Sequence, residues 1–566
     1  MQERFVANGR IARTHIPVRH FTRPRPPSAA ATDAMATALM MAMRWPPVGA
    51  SAAGRRTLEL IGALSSAALP GGRLQSLVVA TGVPTAMPEA EAFAAAVRAL
   101  PAWKSDYAPA LQLVQVSPDD FEGGAWGLAG SAAASPPTPF TDSVADLPLA
   151  RPPDLVLYDT FIAEDVYGWR LRRRWAHHPL LQVLDTQDLH SMREARGIAL
   201  AAHMRAGADG AADGWDGSFR KPLRFVTPGT GPFISAFSMP PGLAARIDAA
   251  ARASLRGEPG AQPVPPAWQR EVAAIARCQL TLVMSDVERD LLVGSPSESV
   301  PPAATGTGGE GVLVAAARDV AARIIRVPFI VPPPPSTPPP QAAVPRSGFV
   351  ALGTFRHPPN NDSACVLRAL WPRVAARLAA AAPGTTHARL DVWGSYCTPP
   401  WEAYLSGAAA AAVGYNVRGQ LADLAALRSY RGLLAPLRFG AGLKGKVVDA
   451  LEAGTPVITT SIGAEGFPRA AVDAAMIVAD SDSEFIAATV ALATDDDLWR
   501  RLHAGCTTAL RALAADGAAA VDTLHAALAA RAAAAPKPPS AWTAALDGDV
   551  SRLWMSRALQ ARRQLK

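Results

Sequence analysis

The sequence predicts an α/β protein of two doubly wound, Rossmann-like domains that face one another across a cleft. Three observations predict it. Short runs rich in Val, Leu, Ile and Ala alternate with segments of helical spacing, which requires parallel sheets covered on both faces. A proline-rich stretch, 328–345, breaks that alternation with an extended, stiff spacer. Beyond it the alternation starts again.

Taken in order, the first run is Thr37–Met43, followed by a Pro/Gly loop from Arg44 to Arg56 and a helix over Thr57–Ala67. Leu74–Ala80 reads as a strand, Glu89–Leu100 as a helix and Leu111–Val116 as a strand. Asp154–Tyr158 and Leu180–Leu184 are strands, and His190–His203 and Trp268–Cys278 are helices. Leu280–Met284 and Ile324–Val327 complete the first sheet. After the prolines, strands are predicted at Ser347–Leu352, Ala388–Val392, Gly432–Ala435, Pro456–Thr459 and Ala475–Val478. Helices are predicted at Asp362–Leu378, Lys446–Ala453, Glu484–Ala493 and Trp499–Leu513. The predicted organisation is therefore a basic arm over 1–33 and a first domain over 34–327. That domain carries insertions near 123–150, 205–262 and 294–311. The spacer 328–345, a second domain over 346–535 and a C-terminal helix over 541–566 follow.

Length alone, 566 residues, would allow three to four domains; the insertions account for the surplus over two. With 49% hydrophobic and 18% charged residues the chain buries a large core and is not a disordered polypeptide. The net charge of +7 is local. Residues 1–56 hold nine arginines against Glu3 and Asp33, and the remainder is formally neutral. A basic footprint for nucleic acid is therefore not expected. The four cysteines lack any CxxC or Cys/His ligand spacing, so neither a zinc site nor a disulfide framework is expected. A reducing compartment, the cytoplasm, fits this usage. An organelle is the alternative if the Arg-rich start is a transit segment. No apolar run reaches the ~20 residues of a membrane helix, which leaves only peripheral membrane contact.

In open α/β sheets ligands bind beyond the carboxyl ends of the strands. The richest loop of that kind is LAPLRFGAGLKGKVVDALEAGTPVITTSIGAEG, 434–466. Gly440, Gly442 and Gly445 allow backbone N–H groups to approach a ligand. Lys444 and Lys446, two of only six lysines in the chain, open a helix whose N-terminus favours anions. Asp449, one turn on, is placed to accept from a ribose hydroxyl. In the first domain Asp185, Asp188, His190, Arg193 and Arg196 gather where a strand enters a helix. Arg193 and Arg196 share a helical face. Asp188 also has the position of a plain N-cap, and Glu465 that of a surface residue.

The segment PLRFGAGLKGKVVDALEAGTP resembles the nucleotide-sugar site of GT-B glycosyltransferases, close to glycosyltransferase family 4 (glycosyl transferases group 1). It is also similar to a poorly characterised branch of that superfamily. Three further blocks carry the branch resemblance: Asp154–Arg196, Ala276–Leu292 and Phe349–Pro372. Together the blocks span about 150 to 470, and their order is what makes them specific.

The resemblance implies roles. The C-terminal domain would hold a nucleotide-diphosphate sugar, the donor substrate and not a cofactor, and the N-terminal domain would offer the acceptor. Gly353 would let the chain pass near the diphosphate, with Arg356 and Asn360 as phosphate or sugar contacts. Arg438, Lys444 and Lys446 would neutralise the leaving group. Asp449 takes the place of the second glutamate of the Glu-x7-Glu motif, and Ala441 stands where the first would be. Gly442 and Glu465 complete the donor side. Asp188, His190 and Arg193 would serve catalysis, where family members normally show His-Asp and this chain has Gln187-Asp188. Arg55 and Arg56 would lie in a loop over the donor sugar. The implied reaction is metal-independent sugar transfer to an acceptor hydroxyl, with retention. The acceptor, whether glycan, lipid or small molecule, is unspecified. Ala441 and Gln187 keep open a second reading, a GT-B module that binds a glycan or nucleotide sugar with little turnover. A third, an NAD(P)-dependent oxidoreductase, lacks a GxGxxG with an acidic residue about 20 positions on. Three DxD triplets (480–482, 495–497, 547–549) are read as helix starts, the first as a capping box at Ser481 and Glu484.

Overall fold

The computed structural model describes residues 35–48, 51–67, 69, 72–83, 85, 87–106, 108–116, 147, 149, 151–178, 180–207, 219, 221–222, 228, 230–293, 322–335 and 346–533. The basic arm, the 541–566 helix and most of the expected insertions lie outside the described residues.

Two parallel sheets form the molecule. The first has seven strands: β1 (Met35–Ala42), β2 (Arg73–Thr81), β3 (Ala110–Gln115), β4 (Leu155–Tyr158), β5 (Leu181–Asp185), β6 (Leu280–Val283) and β7 (Ile324–Arg326). Their spatial order is β3-β2-β1-β4-β5-β6-β7. The second has six: β8 (Phe349–Leu352), β9 (Leu390–Trp393), β10 (Tyr415–Arg418), β11 (Gly432–Ala435), β12 (Val457–Thr459) and β13 (Met476–Val478), in the order β10-β9-β8-β11-β12-β13. This is the pair of doubly wound, Rossmann-like domains that the sequence predicts. Every residue of β4, β5, β6 and β11 is buried, which is why these strands are apolar runs and not alternating ones. Strand order reverses at β1 in one sheet and at β8 in the other. Ligand crevices open at such switch points, off the carboxyl ends of the strands. The segments after β1, β5, β8 and β11 are the ones that meet between the domains.

Helices α1 (Ala52–Ser65) and α2 (Pro88–Ala99) flank the first sheet. The Pro/Gly loop expected up to Arg56 is shorter: Ser51 caps α1 through its hydroxyl to the Gly54 amide (3.1 Å), so Gly54, Arg55 and Arg56 are helical. The short helices α3 (Phe161–Ala163) and α4 (Trp169–Arg174) are joined by a π turn. Helix α5 (His190–Gly207) follows β5. Two helices, α6 (Gly231–Ala236) and α7 (Leu243–Leu255), fall inside the expected insertion 205–262. They are not surface decoration. Phe233, Phe237 and Ile247 share a core with Phe349 and Trp371 of the second domain. The Met239 backbone exchanges hydrogen bonds with Asp482 (2.7 and 2.9 Å). Helices α8 (Pro266–Arg277) and α9 (Asp286–Val293) frame β6.

The proline-rich stretch is docked at its start, 328–331. Phe329 and Val331 are buried, the Arg56 guanidinium donates to the carbonyls of Val327 and Pro328, and Glu59 accepts the Ile330 amide. In the second domain, α10 (Pro358–Ala381) follows β8, and α11 (Pro399–Leu405) and α12 (Ala408–Ala412) lead to β10. α13 (Gly445–Glu452) follows the glycine-rich loop, and α14 (Ser461–Ala464) and α15 (Arg469–Ala475) connect β12 to β13. α16 (Asp482–Thr494) begins with the expected Ser481/Glu484 capping box. α17 (Asp496–Ala533) runs for 38 residues and returns to the first domain. Its Leu524 and Leu528 enter that domain's core beside Leu60 and Leu64, and His525 meets the Ala63 carbonyl at 2.9 Å. Among the described residues no helix is long and apolar enough to cross a membrane.

Candidate active site

A cavity of about 1970 Å³ lies between the domains. Gln187, Asp188, His190 and Arg193 border it from one side; Gly353, Asn360, Lys444, Lys446 and Asp449 border it from the other.

The first wall is a sharp turn held from beneath. Gln187 adopts φ +59° between β5 and α5, which points the chain back toward the cavity. The first N–H groups of a helix have no intrahelical partner, and here two buried glutamates take them. Glu288 accepts from Leu189 (2.8 Å), and Glu271 accepts from the amides of His190 and Ser191 (both 3.1 Å) and from the Ser191 hydroxyl. Burial pushes Glu271 up to about 8 and Glu288 up to about 7. The α5 N-terminus is thus occupied by protein carboxyls, and the Asp188–His190 turn rests on them. Asp188 is contacted by Arg193 and lies 3.3 Å from His190 Nε2. Burial opposes its ionisation, but the Arg193 guanidinium, with His190 and His357, holds Asp188 below the usual carboxylate range. Burial, helped by Arg193, pushes His190 down to about 4, so its imidazole is neutral near pH 7. The Phe161 ring edge packs on that imidazole with centroids 5.2 Å apart. The wall therefore presents an ionised carboxylate beside a neutral histidine, a pairing able to accept a proton or steady positive charge.

The second wall follows β11. Gly442 has φ +63°, and a Cβ there would lie 2.9 Å from the Asp188 Cβ; only glycine allows both the conformation and the contact. Lys444 does not reach outward. Its ammonium donates to the carbonyls of Ala441 (3.2 Å) and Gly442, and burial depresses its pKa. It is a brace of the loop at the cavity edge. Lys446 donates to Asn360 Oδ1 (2.6 Å), and burial, with Lys444 nearby, brings it down to about 7. Asn360 in turn donates to the Thr354 carbonyl (3.0 Å), and it sits so close that a Cβ on Gly353 would fall 2.4 Å from its side chain. Asp449 is raised to about 6 by burial despite Arg55 at 3.4 Å. Arg55 crosses from α1 to Glu452 (2.7 and 3.0 Å) while also held by Glu59 (2.8 Å).

Three expected donor contacts are elsewhere. Arg438 is buried and paired with Asp362 (Nε at 3.0 Å), and it donates to the carbonyls of Ala236 and Ser238. Its charge ties the α6–α7 segment to the second domain and does not border the cavity. Glu465 accepts from Arg196 (2.7 and 3.3 Å), which also bonds Asp248 and the Gly440 carbonyl. That buried network joins the domains. Arg356 stacks over the Tyr396 ring, 3.6 Å from its centroid, away from the cavity lining. Arg56 borders the cavity, but its guanidinium is spent on Asp185 (2.7 to 3.0 Å). Sequence reasoning missed His357 and Gln420, both on the cavity wall, and the two glutamates under α5. The signal for His357 is its place between Arg356 and Asn360, in a turn already singled out. Among the described residues no group of three or more His, Cys, Asp or Glu is arranged to hold a metal ion.

The segment that forms the second wall matches a known family model. Residues 346–495 match the model for "Glycosyl transferases group 1". The second domain is similar to the group 1 glycosyltransferases. The matched residues take in the Gly353 turn, the Gly440–Lys446 loop and Asp449, so the group 1 domain supplies the whole second wall. Solved structures similar in fold include HepE from Anabaena, in complex with UDP and glucose. It is 12% identical, with 88% of this chain and 99% of that chain covered and a TM-score of 0.45. Sucrose-phosphate synthase from Thermosynechococcus elongatus is 12% identical, with 88% and 99% covered and a TM-score of 0.43. TarM from S. aureus is 9% identical, with 65% and 55% covered and a TM-score of 0.37. No curated relative matches the chain in sequence.

Proposed function

We propose that this glycosyltransferase moves a sugar from a nucleotide-diphosphate donor to an acceptor hydroxyl, with retention and without a metal. The observation that carries the reading is the cavity itself, with Asp188, His190 and Arg193 on one wall and Asn360, Lys446 and Asp449 on the other. In it Lys446 meets the diphosphate, where negative charge grows as the bond to the sugar breaks. Asp449 accepts from the ribose. Asp188 steadies the oxocarbenium-like sugar, and the neutral His190 handles the acceptor hydroxyl proton. Arg193 keeps Asp188 ionised. Arg438, Arg356 and Glu465 lie outside the cavity lining and are not assigned to the donor. The four cysteines are unpaired thiols, which fits a cytoplasmic location.

The test is a panel of UDP-, GDP- and ADP-sugars and NAD(P), scored by ligand-induced thermal stabilisation and then by donor hydrolysis, with and without a chelator. Stabilisation by one nucleotide series and chelator-insensitive hydrolysis are expected. Stabilisation by NAD(P) alone would sink the reading. Asp188→Asn should lower turnover on the order of 100-fold, the scale of one lost catalytic group, with nucleotide affinity kept. The second reading, binding with little turnover, is favoured by one observation: Ala441 borders the cavity with a methyl group, so no carboxylate stands there. Binding without hydrolysis or transfer would establish it.

A further inference from the structure

One side chain on the cavity wall has a place but no role. His357 ends the turn that leaves β8 and precedes the first residue of α10. Its backbone is fixed, since its carbonyl accepts from the amides of Asn360 (2.9 Å) and Asn361 (3.4 Å). Its ring makes no hydrogen bond with any described residue and borders the cavity. The groups whose charge it feels come from both domains: Arg193, Asp188 and His190 from the first, Lys446 from the second. His357 therefore sits where the two walls converge.

Its neighbours are engaged. Asp188 is taken up by Arg193 and His190, and Lys446 by Asn360. His357 is the hydrogen-bonding group in that company left without a protein partner. Burial, with Arg193 and Lys446 near, pushes the imidazole down to about 3, so it is uncharged at neutral pH. An uncharged imidazole offers one donor and one acceptor. A sugar hydroxyl offers the same pair, whereas a phosphate oxygen only accepts. On the same cavity Ala441 contributes only a methyl group, which leaves the transferred sugar short of protein partners.

We propose that His357 reads the transferred sugar: its imidazole hydrogen-bonds a hydroxyl of the donor sugar and so selects which sugar the enzyme accepts. This rests on the donor reading given above. A site built to hydrogen-bond one hydroxyl discriminates strongly against a ligand that lacks or misplaces it.

The test compares the full-length wild type with His357→Phe and His357→Gln. Calorimetry measures each against the free nucleoside diphosphates UDP, GDP and ADP. It then measures the glucose, galactose and N-acetylglucosamine conjugates of the one that binds. His357→Phe should weaken the preferred conjugate about 10-fold or more while leaving the free nucleoside diphosphate within about twofold. It should also bring the ratio between the sugars toward one. His357→Gln, which keeps a donor and an acceptor at altered reach, should shift that ratio at least about threefold, so the test stands even if the Phe variant folds poorly. Equal weakening of free nucleotide and conjugate, or unchanged ratios in both variants, would overturn the proposal. A wild type that binds no nucleoside diphosphate would break the donor reading itself, a result distinct from failure of His357 alone.

Discussion

The two walls of the cavity are rigid for different reasons. The first is fixed by carboxyls that burial pushes up from the ordinary carboxylate range: Glu271 and Glu288 fill the α5 N-terminus, and the working groups Asp188 and His190 ride on top. The second is fixed by cations turned inward. Lys444 grips its own loop, and Arg438, a residue beyond the end of β11, is buried on Asp362. The difference teaches where free charge remains. On the first wall the charged pair at the surface is Asp188 with Arg193. On the second, Lys446 holds only a neutral amide, so it is the cation ready to exchange its partner for a phosphate.

The contrast breaks most visibly at Arg438. Arg438→Met should leave Asp362 buried and unpaired, costing about 3–5 kcal/mol in chemical denaturation. Adding Asp362→Leu should recover most of that. Nucleotide affinity of the folded protein should stay within twofold. A stable Arg438→Met protein that loses nucleotide binding would return this arginine to the site and erase the difference between the walls.

Next in size is Glu271. Glu271→Ala strands the amides of His190 and Ser191 and the Ser191 hydroxyl, for about 2–3 kcal/mol of stability. Its folded pKa of about 8 lies above the ordinary 4.5, so the protonated carboxyl is the form the fold prefers. The stabilisation is complete below about pH 4.5 and disappears as pH rises through 8. Glu271→Gln should remove that slope from a plot of stability against pH. An unchanged slope would mean the cap is ionised in the native protein.

These two groups also mark where sequence reading stops. Buried parallel strands write themselves as apolar runs, so twelve strands are legible in order. Tyr415–Arg418 is not, because it is an edge strand with polar Asn416 and Arg418 and only Tyr415 fully buried. The loop 440–446 is legible through its glycines and its rare lysines. The occupation of its charges is not. Asp362 is 76 residues from Arg438, and Glu465 is 269 from Arg196. A free arginine and a buried one have the same local sequence; only the tertiary partner distinguishes them. Glu271 and Glu288 escaped for the same reason, since each caps a helix that starts 80 or more residues earlier.

Lys446 sharpens the comparison on the second wall. Free, it titrates at about 7; beside a diphosphate its charged form gains a partner and its pKa rises. Nucleotide binding at pH 7.5–8 should therefore take up a proton, seen as a dependence of the calorimetric enthalpy on buffer ionisation. Affinity should fall as pH climbs above 7. Lys446→Ala should abolish the proton uptake and cost about 1.5–3 kcal/mol of affinity, as for a charge-assisted bond. A normal affinity in that variant would remove the loop from the donor site.

The smallest effect belongs to Arg55, a charged link from α1 to α13 at the cavity's edge. It reaches Glu452, Asp449 and Glu59 while remaining 23% exposed, so its ion pairs are partly screened and Arg55→Ala should cost about 1 kcal/mol of stability or less. Its chemical effect is on Asp449, which burial has already raised to about 6 and which Arg55 pulls back. Without that cation Asp449 titrates nearer neutrality and is a poorer acceptor for a ribose hydroxyl. The wild type should lose nucleotide affinity as pH falls through 6, and Arg55→Ala should start losing it at higher pH, with less than about a threefold difference at pH 7.5. The direction is opposite to that of Lys446, so a pH series from 5.5 to 8.5 on the two variants separates the contributions. An Arg55→Ala curve that overlays the wild type would show that Asp449 does not meet the nucleotide as an ionised acceptor, and would leave Lys446 as the wall's only titrating contact.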